Sequence, residues 1–448
     1  MADPAAMSAS RVPPLGVRAC GMSGSAGAAI GQSAPRRRPS RSPMRSPGST
    51  LSPLTHGLFR ALWIASLAAN FGNMVLAVGT QWLMTAIDGR ADRVALIWTA
   101  MALPMMLLSL VGGAFADLID RRRLLLGAYG SAAAVSALLA WLAFEGLATP
   151  WILIGGTFAL GVATAFATPA SQASIGTVVP RAELAGAASL SILGFNVART
   201  LGPAAGGAIV AAAGAPAAFL CNLAACLVSV GVLLGWRPPR PDPPVRASLS
   251  AALAEGLRCV RDSAPLRAIV ARALTFTVAG SAAWALMPLI ARDLAGGGPE
   301  QFGLLLGALG LGAVLGAAVS HEMRRRFNGE TLVRVAALVY GAACLIVAAA
   351  PGLAVSFVVL VIGGAGWVQA LSGFSVAAQL WAPRPLVGRV TATVSTVTFG
   401  GIGLGSWLWG HVAEPAGIAA AVAGSGAAML LVAGFGLLMP MPGRPEAE

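Results

Sequence analysis

The fold class that the sequence predicts is an all-α membrane protein with twelve transmembrane helices in two six-helix halves. Of its 448 residues, 57% are hydrophobic and 10% are charged, whereas soluble domains have ~25% charged residues. The uncharged stretches are continuous rather than alternating, and each is long enough for the ~20 residues that a helix needs to cross a bilayer. Because backbone polar groups must be satisfied internally in lipid, these stretches are expected to be helices.

Twelve apolar segments follow a polar beginning of the chain. They are expected at 57–86, 94–116, 124–145, 151–175, 184–211, 216–236, 268–291, 301–323, 332–350, 353–381, 389–412 and 416–438. The predicted organisation is a disordered basic tail at 1–55, an N-terminal half at 56–236, a cytoplasmic linker at 237–267, a C-terminal half at 268–438 and a short tail at 439–448. The first tail has too little apolar content to fold, and it either touches anionic lipid or has no role.

The linker between the sixth and seventh segments predicts a connection rather than a reaction centre. Its Pro-rich beginning cannot be helical. Its second half places Leu249, Leu253 and Leu257 at four-residue spacing. This spacing predicts a helix on the cytoplasmic surface that stops at Pro265.

The positive charge is distributed asymmetrically along the chain. All thirty basic residues are arginine, since the sequence contains no lysine, and the formal net charge is +13. Arg90, Arg93 and Arg292 fall in predicted outer loops and Arg199 lies inside a segment, while the others lie in the tails, the linker and alternate loops. By the positive-inside rule, both termini are cytoplasmic. The charge therefore indicates orientation and not a nucleic-acid partner.

Several function classes are excluded or disfavoured by what the sequence lacks. Without lysine it has neither the phosphate-binding loop of an ATP-driven pump nor Schiff-base chemistry. Its five cysteines and three histidines show no metal-ligand spacing. No Ser-His-Asp or paired-carboxylate arrangement is visible. We expect no enzyme activity, no cofactor and no metal site.

Two stretches at corresponding places in the halves resemble each other, "GGAFADLIDRRR" after the second segment and "GAAVSHEMRRR" after the eighth. The first also resembles the loop between helices 2 and 3 of the major facilitator superfamily. "FNVARTLGPAAGG", "LAEGLRCVRDSAPLRA", "GAGWVQAL" and "VGRVTATVSTVTFGG" are more specifically similar to the branch of bacterial enterobactin exporters and related secretion permeases. The resemblance covers roughly residues 57–438.

The resemblance implies a secondary active exporter in the bacterial inner membrane. Such a protein moves a small organic molecule, siderophore-like or drug-like, out of the cytoplasm by alternating access, with the substrate path between the halves. It implies a monomer that exchanges its substrate for protons. Two alternatives stay open: an importer or facilitator on the same fold, and a transport-inactive membrane sensor or scaffold.

The resemblance also implies a conformational lock, formed by Gly113, Asp117, Arg121 and Arg122. Asp117 would meet the N-terminus of the eleventh helix near Arg389, where a carboxylate gains roughly 0.3–1 kcal/mol. That contact would hold the outward-open state. A solvated loop is the alternative interpretation for the arginines, and the sequence departs from the family pattern by having Leu118 and Asp120 in place of a base and a glycine.

Arg199 is the candidate centre of the substrate path. It lies about fifteen residues into the fifth helix, roughly 22 Å along it and past the midplane. A charge at that depth is costly unless it faces protein or water. Arg199 therefore either braces the bundle or lines a wet cavity that attracts an anionic or catecholate-like substrate. The other residues assigned to the path are polar or aromatic: Asn196, Asn73, Asn222, Trp284, Trp367 and Gln369.

Directly after Arg199, the chain reads "GPAAGG", with Gly202, Pro203, Gly206 and Gly207 matching a fifth-helix signature of exporters in this superfamily. Pro203 removes a backbone donor and bends the helix. The glycines permit close contact between helices. The motif forms either a hinge-like seam that keeps the cavity sealed in one state or ordinary tight packing.

Few titratable groups lie inside the segments, so proton exchange has no evident carrier. Asp88, Glu145 and Glu322 lie at segment ends, Glu414 lies beyond the eleventh segment, and His411 lies at the membrane edge. Arginine cannot carry the proton because it stays protonated.

The remaining tryptophans assigned a role are expected at the two membrane interfaces: Trp63, Trp82, Trp98, Trp141, Trp151, Trp236 and Trp409.

Overall fold

A computed structural model describes residues 51–118, 120–236 and 249–443, except for the side chains of 109–118, 175–176, 181, 249–254 and 385. Within these ranges the chain is helical and contains no β-strand, which confirms the predicted all-α class. Most of the predicted basic tail lies outside the described residues, as do the Pro-rich part of the linker and the end of the chain. A 3₁₀ turn, Ser52–Thr55, precedes the first long helix.

The described helices follow one another with short connections. They are α1 Gly57–Ile87, α2 Ala91–Leu118, α3 Arg121–Phe144, α4 Pro150–Val178, α5 Leu184–Gly235, α6 Leu249–Asp262, α7 Ala264–Gly280, α8 Ala282–Ala285, α9 Met287–Leu289, α10 Pro299–Arg326, α11 Gly329–Ala348, α12 Leu353–Trp381, α13 Val387–Ala416 and α14 Ile418–Leu438. A π-helical turn, Ile290–Leu294, follows α9. The helix expected in the linker is α6; it ends before Pro265, which lies in the first turn of α7.

Helix α5 is a hairpin of two spans rather than one straight helix. Gly214 in its middle has φ 76° and ψ 172°, a conformation that glycine adopts without steric penalty, and Pro216 follows it. Before this turn, later residues of α5 contact later residues of α1. After the turn, later residues of α5 contact earlier residues of α1. The pairs are Gly202–Met74 and Gly206–Val78 before the turn, and Ala218–Gly79 and Ala225–Gly72 after it.

Nine helices of the described chain are long and apolar enough to cross a membrane. The hairpin in α5 adds one span to this number, the interrupted segment α7–α9 adds another, and α13, with 30 residues, adds a third. The structure is therefore consistent with the twelve predicted spans. We call the end of the bundle where α1 begins the inner end and the opposite one the outer end, after the orientation that the arginines predict.

A buried ion cluster joins three helices near the inner end of the C-terminal half. Arg272 in α7 is fully buried, and its guanidinium donates to the carbonyl oxygen of Val432 in α14 at 2.5 Å. The same guanidinium lies 3.4 Å from the carboxylate of Glu330 in α11. Glu330 also accepts a hydrogen bond from the backbone N–H of Met441 at 2.8 Å. The cluster holds the ends of α7, α11 and α14 together.

Replacing Glu330 by Gln is expected to lower the free energy of unfolding by about 3–5 kcal/mol, because the buried charge of Arg272 loses its counter-ion. Thermal unfolding of the purified protein in detergent measures this loss. Glu322→Gln is the matched control, since Glu322 pairs with Arg326 on an exposed surface, and a surface pair contributes ~0–1 kcal/mol. Equal losses in both variants would contradict the assignment.

Candidate functional site

The part of α5 before Gly214, which we call its first limb, lies in backbone contact with helix α10 along the outer half of the bundle. A Cβ atom added to Gly207 would lie 2.4 Å from the carbonyl oxygen of Pro299, and one added to Gly303 would lie 2.5 Å from that of Pro203. Deeper in the membrane, a Cβ added to Gly310 would lie 2.5 Å from the carbonyl oxygen of Arg199 in α5. Real Cβ atoms do not approach this closely, so the contact requires glycine on both helices.

The "GPAAGG" motif divides its glycines between two neighbours. Gly202 and Gly206 face α1 of the same half, where an added Cβ would lie 2.6 Å from the Cβ of Met74 and 3.1 Å from the Cα of Val75, respectively. Gly207 faces α10 of the other half. The motif therefore packs the N-terminal half internally and also forms part of its contact with the C-terminal half.

A second contact between the halves runs along α2 and α13. The hydroxyl of Thr99 donates to the carbonyl oxygen of Gly403 at 2.9 Å. Nearer the outer end, a Cβ added to Gly410 would lie 2.5 Å from the Cβ of Ala95. The two halves are thus in close contact on both sides of the bundle in its outer half.

Glu414, at the outer end of α13, binds the beginning of α2 in the other half. Its carboxylate accepts a hydrogen bond from the backbone N–H of Ala91 at 3.1 Å and lies 3.5 Å from Nε of Arg90. A carboxylate is favoured there by the free backbone donors of a helix N-terminus. Hydrogen bonding to Asp92, and then the charges of Asp92 and Glu414, raise the pKa of Arg90.

The expectation that Glu414 lies beyond the eleventh helix is wrong, because α13 continues to Ala416.

An aromatic cluster closes the centre of the bundle between the two contacts. The guanidinium carbon of Arg199 lies 5.5 Å from the ring centroid of Trp284, across the interface of the halves. Trp284 meets Trp98 of α2 edge to face at 5.7 Å and Trp367 of α12 at 6.1 Å. The indole N–H of Trp98 donates to the side chain of Gln81 at 3.0 Å. Side chains from both halves therefore form this cluster.

Trp284 lies where the seventh span is interrupted. The segment from α7 to the π-helical turn consists of four short pieces. Pro288 has no N–H to donate to the carbonyl of Trp284 four residues earlier, which explains part of the interruption. Broken helices in transporters mark substrate sites near the midplane. The indole nitrogen of Trp284 is buried and has no hydrogen-bond partner among the described residues.

Arg199 itself is partly buried and has an unusual environment. Within the described chain its side chain has no acidic partner and no hydrogen-bond partner, and its guanidinium lies over the face of Trp284. The bracing by carbonyls and amides that the sequence left open is not found in the described part. A guanidinium with five N–H donors and no acceptor favours an anion or water at this place.

The inner half of the bundle exposes several polar side chains. Thr168 and Gln172 of α4, Ser189 of α5 and Gln379 of α12 are exposed. Thr168, Ser189 and Gln379 bond to atoms of their own helices, whereas the amide of Gln172 has no partner among the described residues and would be costly against hydrocarbon. Together with the contacts in the outer half, this exposure indicates a crevice that is open at the inner end and closed at the outer end.

The other residues assigned to the path fall into two groups. Asn73 and Asn196 are partly exposed and have no hydrogen-bond partner within the described chain. Asn222 is buried and donates to the hydroxyl of Ser136 at 2.8 Å inside the N-terminal half. Gln369 is also buried and bridges α12 to α10 inside the C-terminal half. The structure thus brings Asn222 and Gln369 into helix packing rather than to the centre.

Arg121 and Arg122 of the predicted lock bind within the N-terminal half. Their guanidinium groups donate to backbone carbonyl oxygens near the inner ends of α4 and α5, at distances of 2.7 to 3.1 Å. Cations are favoured at Leu233 and Leu234 of α5 because the last carbonyls of a helix lack intrahelical partners, while Ala173 lies more than one turn before the end of α4. The two arginines therefore fasten three helix ends together.

The other two lock residues, Gly113 and Asp117, lie in the stretch 109–118 of α2, outside the described side chains. Asp117 is expected to meet the N-terminus of α13 near Arg389, and there Arg389 forms an ion pair with Glu255 of α6. In this conformation the linker helix occupies the N-terminal end of α13.

The tryptophans expected at the membrane interfaces also divide. Trp141 and Trp151 are 57% and 66% exposed and are free to contact lipid. Trp98 belongs to the central cluster, and Trp409 is buried with its N–H donating to the carbonyl of Val278. Trp236 is 2% exposed. Neighbouring helices cover these three rings, which the sequence places near segment ends.

A bundle of two helical halves, with a polar and aromatic centre at their interface and a crevice open at one end, is the architecture of a secondary membrane transporter. The sequence model of the transmembrane secretion effector family matches residues 48–448. The chain belongs to this family. Membership of the major facilitator superfamily and of its secretion-permease branch is thereby confirmed, and the chain is a membrane transporter rather than an enzyme.

The chain is 29% identical over 403 residues to the multidrug efflux pump Tap of Mycolicibacterium fortuitum, covering 84% of this chain and 94% of Tap. It is 25% identical over 276 residues to the staphyloferrin A transporter of Staphylococcus aureus, covering 61% of this chain and 69% of that protein. A solved bacterial homologue of the human lysosomal transporter Spinster, inward-facing and unoccupied, matches with a TM-score of 0.67 at 17% identity, over 88% of this chain and 96% of that one. The nucleoside transporter NupG matches with a TM-score of 0.70 at 10% identity, over 86% of this chain and 100% of that one. The solved structures share the fold.

Replacing Gly303 by Ala is expected to push α5 and α10 apart, since its Cβ would overlap the carbonyl oxygen of Pro203. The outer ends should then separate more often. The distance between spin labels on cysteines at Leu147 and Val355, outer positions of the two halves, measures this shift. Gly434→Ala is the control, because nothing lies within 4 Å of its Cβ position. An unchanged distance distribution in both variants would refute the role of the glycine contact.

Glu414→Gln is expected to raise the outer-open population about two- to fivefold, because a carboxylate at a helix N-terminus contributes ~0.3–1 kcal/mol and the glutamine keeps only the hydrogen bond. The same pair of spin labels reports the change. Glu145→Gln removes a charge at the outer end from a side chain with no ion-pair partner among the described residues, and should leave the population unchanged. Similar shifts in both variants would show a general charge effect instead.

Proposed function

We propose that this chain is a secondary active exporter of the bacterial inner membrane, with both termini in the cytoplasm. It moves a small organic molecule, siderophore-like or drug-like, out of the cytoplasm by alternating access and exchanges it for protons. The observation that carries the proposal is the contact of Arg199 with Trp284 at the closed end of a crevice that is open at the inner end. A monomer suffices, because the path lies between its two halves.

Arg199 is the centre of the proposed path. An anionic or catecholate-like group would take the place of the Trp284 ring, because an anion offers the guanidinium charge-assisted hydrogen bonds that a ring does not. Asn196 and Asn73 would supply further donors and acceptors, and Trp367 would support the ring of Trp284. We leave Asn222 and Gln369 out of the path, since their amides are bonded within their own halves.

The outer end must open for release. The contact of Gly207 with α10 would part there, with Gly202, Pro203 and Gly206 keeping the first limb of α5 attached to α1. In the outward-open state, Asp117 would lock the inner end at the beginning of α13, supported by Gly113, Arg121 and Arg122. Arg389 would then leave Glu255.

The contact that must part at the outer end includes Glu414, whose carboxylate faces Arg90 and the N-terminus of α2. Proton exchange is proposed from the family resemblance, and transport with and without a pH gradient tests it.

Arg199→Ala is expected to reduce transport of an anionic substrate about tenfold or more, since a charged hydrogen bond contributes ~1.5–3 kcal/mol. Uptake into inverted vesicles, with and without a pH gradient, measures it with anionic siderophores and cationic dyes. Arg258→Ala on the exposed face of α6 is the control and should transport normally.

Equal transport by Arg199→Ala and the control would contradict the proposed path. Transport that ignores the pH gradient would remove proton exchange and leave a facilitator. No transport by the parent chain over the whole panel would favour the sensor alternative.

A further inference from the structure

A cavity of about 220 Å³ lies between α12 and α13, on the inner side of the aromatic cluster. Leu371 of α12, which lines it, follows Trp367 by one helical turn toward the inner end. Four of the seven lining residues carry hydroxyl groups, and none of the seven is charged. The lining residues are Leu371, Ser375, Thr391, Val394, Ser395, Thr398 and Phe399.

The hydroxyls of α13 lie on one helix face. Thr391, Ser395 and Thr398 recur at the spacing of one and two helical turns. The opposite faces of the same helix are used elsewhere: Gly403 packs against α2, and Gly405 packs against the end of α7 and Ser281. A face with three hydroxyls is poorly suited to lipid, so we place it toward the crevice.

Two of the four hydroxyls lack partners. Ser375 accepts a hydrogen bond from Gln379 at 3.3 Å, and Thr398 donates to the carbonyl of Val394 at 2.8 Å. The hydroxyl oxygen of Thr391 is buried without a hydrogen-bond partner among the described residues, and Ser395 has none there either. A buried hydroxyl without a partner is destabilising, and a ligand oxygen in the adjoining cavity would relieve this.

We propose that this cavity binds a neutral ring of the transported molecule that carries a hydroxyl group, as a phenol does. Thr391 and Ser395 would hydrogen-bond the ring hydroxyl, while Leu371, Val394 and Phe399 would cover the apolar part. The volume is smaller than the ~300–1,000 Å³ of sites that hold a whole drug-sized ligand, so the cavity takes one ring. A charged group is excluded because no counter-charge lines the cavity.

The proposal rests on the proposed function for the statement that the ring belongs to a transported molecule. It is independent of Arg199, which is not among the lining residues and would serve a different, anionic part of the substrate. The cavity therefore has a preference of its own, for a neutral hydrogen-bonding ring over both a bare hydrocarbon ring and a charged one.

Protection of a cysteine from alkylation tests this preference. In a chain whose five natural cysteines are replaced, Leu371→Cys places a thiol in the cavity wall, and its reaction rate with N-ethylmaleimide is measured on the full-length protein in detergent. Phenol should slow the reaction at about three- to tenfold lower concentration than toluene, a difference equal to one neutral hydrogen bond. Benzoate, which is charged, should not protect.

Thr391→Val, which keeps the shape and removes the hydroxyl, should abolish the difference between phenol and toluene, and Ser395→Ala should reduce it. Thr393→Val is the matched control, because its hydroxyl donates to the carbonyl of Arg389 at 3.0 Å and does not line the cavity. Size-exclusion elution and the thermal midpoint confirm that each variant is folded.

Equal protection by phenol and toluene in the Leu371→Cys chain without further changes would overturn the proposal, as would a thiol at position 371 that never reacts. An equal effect of Thr391→Val and Thr393→Val would also overturn it. Because the measurement involves no transport, a chain that shows the phenol preference but exports nothing would refute the proposed function and leave the ring site intact.

Discussion

The close approach of α5 and α10 at Gly207 and Gly303 is the constraint on which the rest of the site depends. Because neither residue has a side chain, the backbones come together and no interlocking side chains hold them. This approach also fixes the level of Arg199, whose carbonyl oxygen lies against Gly310 while its guanidinium reaches Trp284 of the other half. A contact made by backbones can part without repacking either half, which alternating access requires.

The second contact, between α2 and α13, is built on the ends of the helices. These two helices run in opposite directions, so the end of each lies near the beginning of the other. At the outer end this geometry brings Glu414 of α13 to the N-terminus of α2. The lock that the family resemblance assigns to Asp117 would be the same contact at the inner end, from the end of α2 to the beginning of α13. One electrostatic principle would then serve both conformations.

The centre of the bundle combines groups that do not satisfy one another. Among the described residues, Arg199 has a ring for a partner, the indole nitrogen of Trp284 has no acceptor, and Thr391, in its cavity inside the C-terminal half, has no partner. Arg272 differs because its buried charge has a counter-ion in Glu330, although its Nε is also without a partner there. The interface of the halves is marked as a binding region because Arg199 and Trp284 lie unsatisfied next to an interrupted helix.

The sequence by itself determined the helical class and the family and predicted the spans and their orientation, because transfer of a segment into lipid and the positive-inside rule depend on local composition alone. It also singled out Arg199, since a lone charge in an apolar run is visible without a neighbour. Only the tertiary structure decided that Glu414 meets Ala91, that Trp98 joins the centre and that Asn222 packs inside one half. Those contacts depend on which helices are neighbours, and that is set by packing between segments far apart in the chain, which no pattern within one segment encodes.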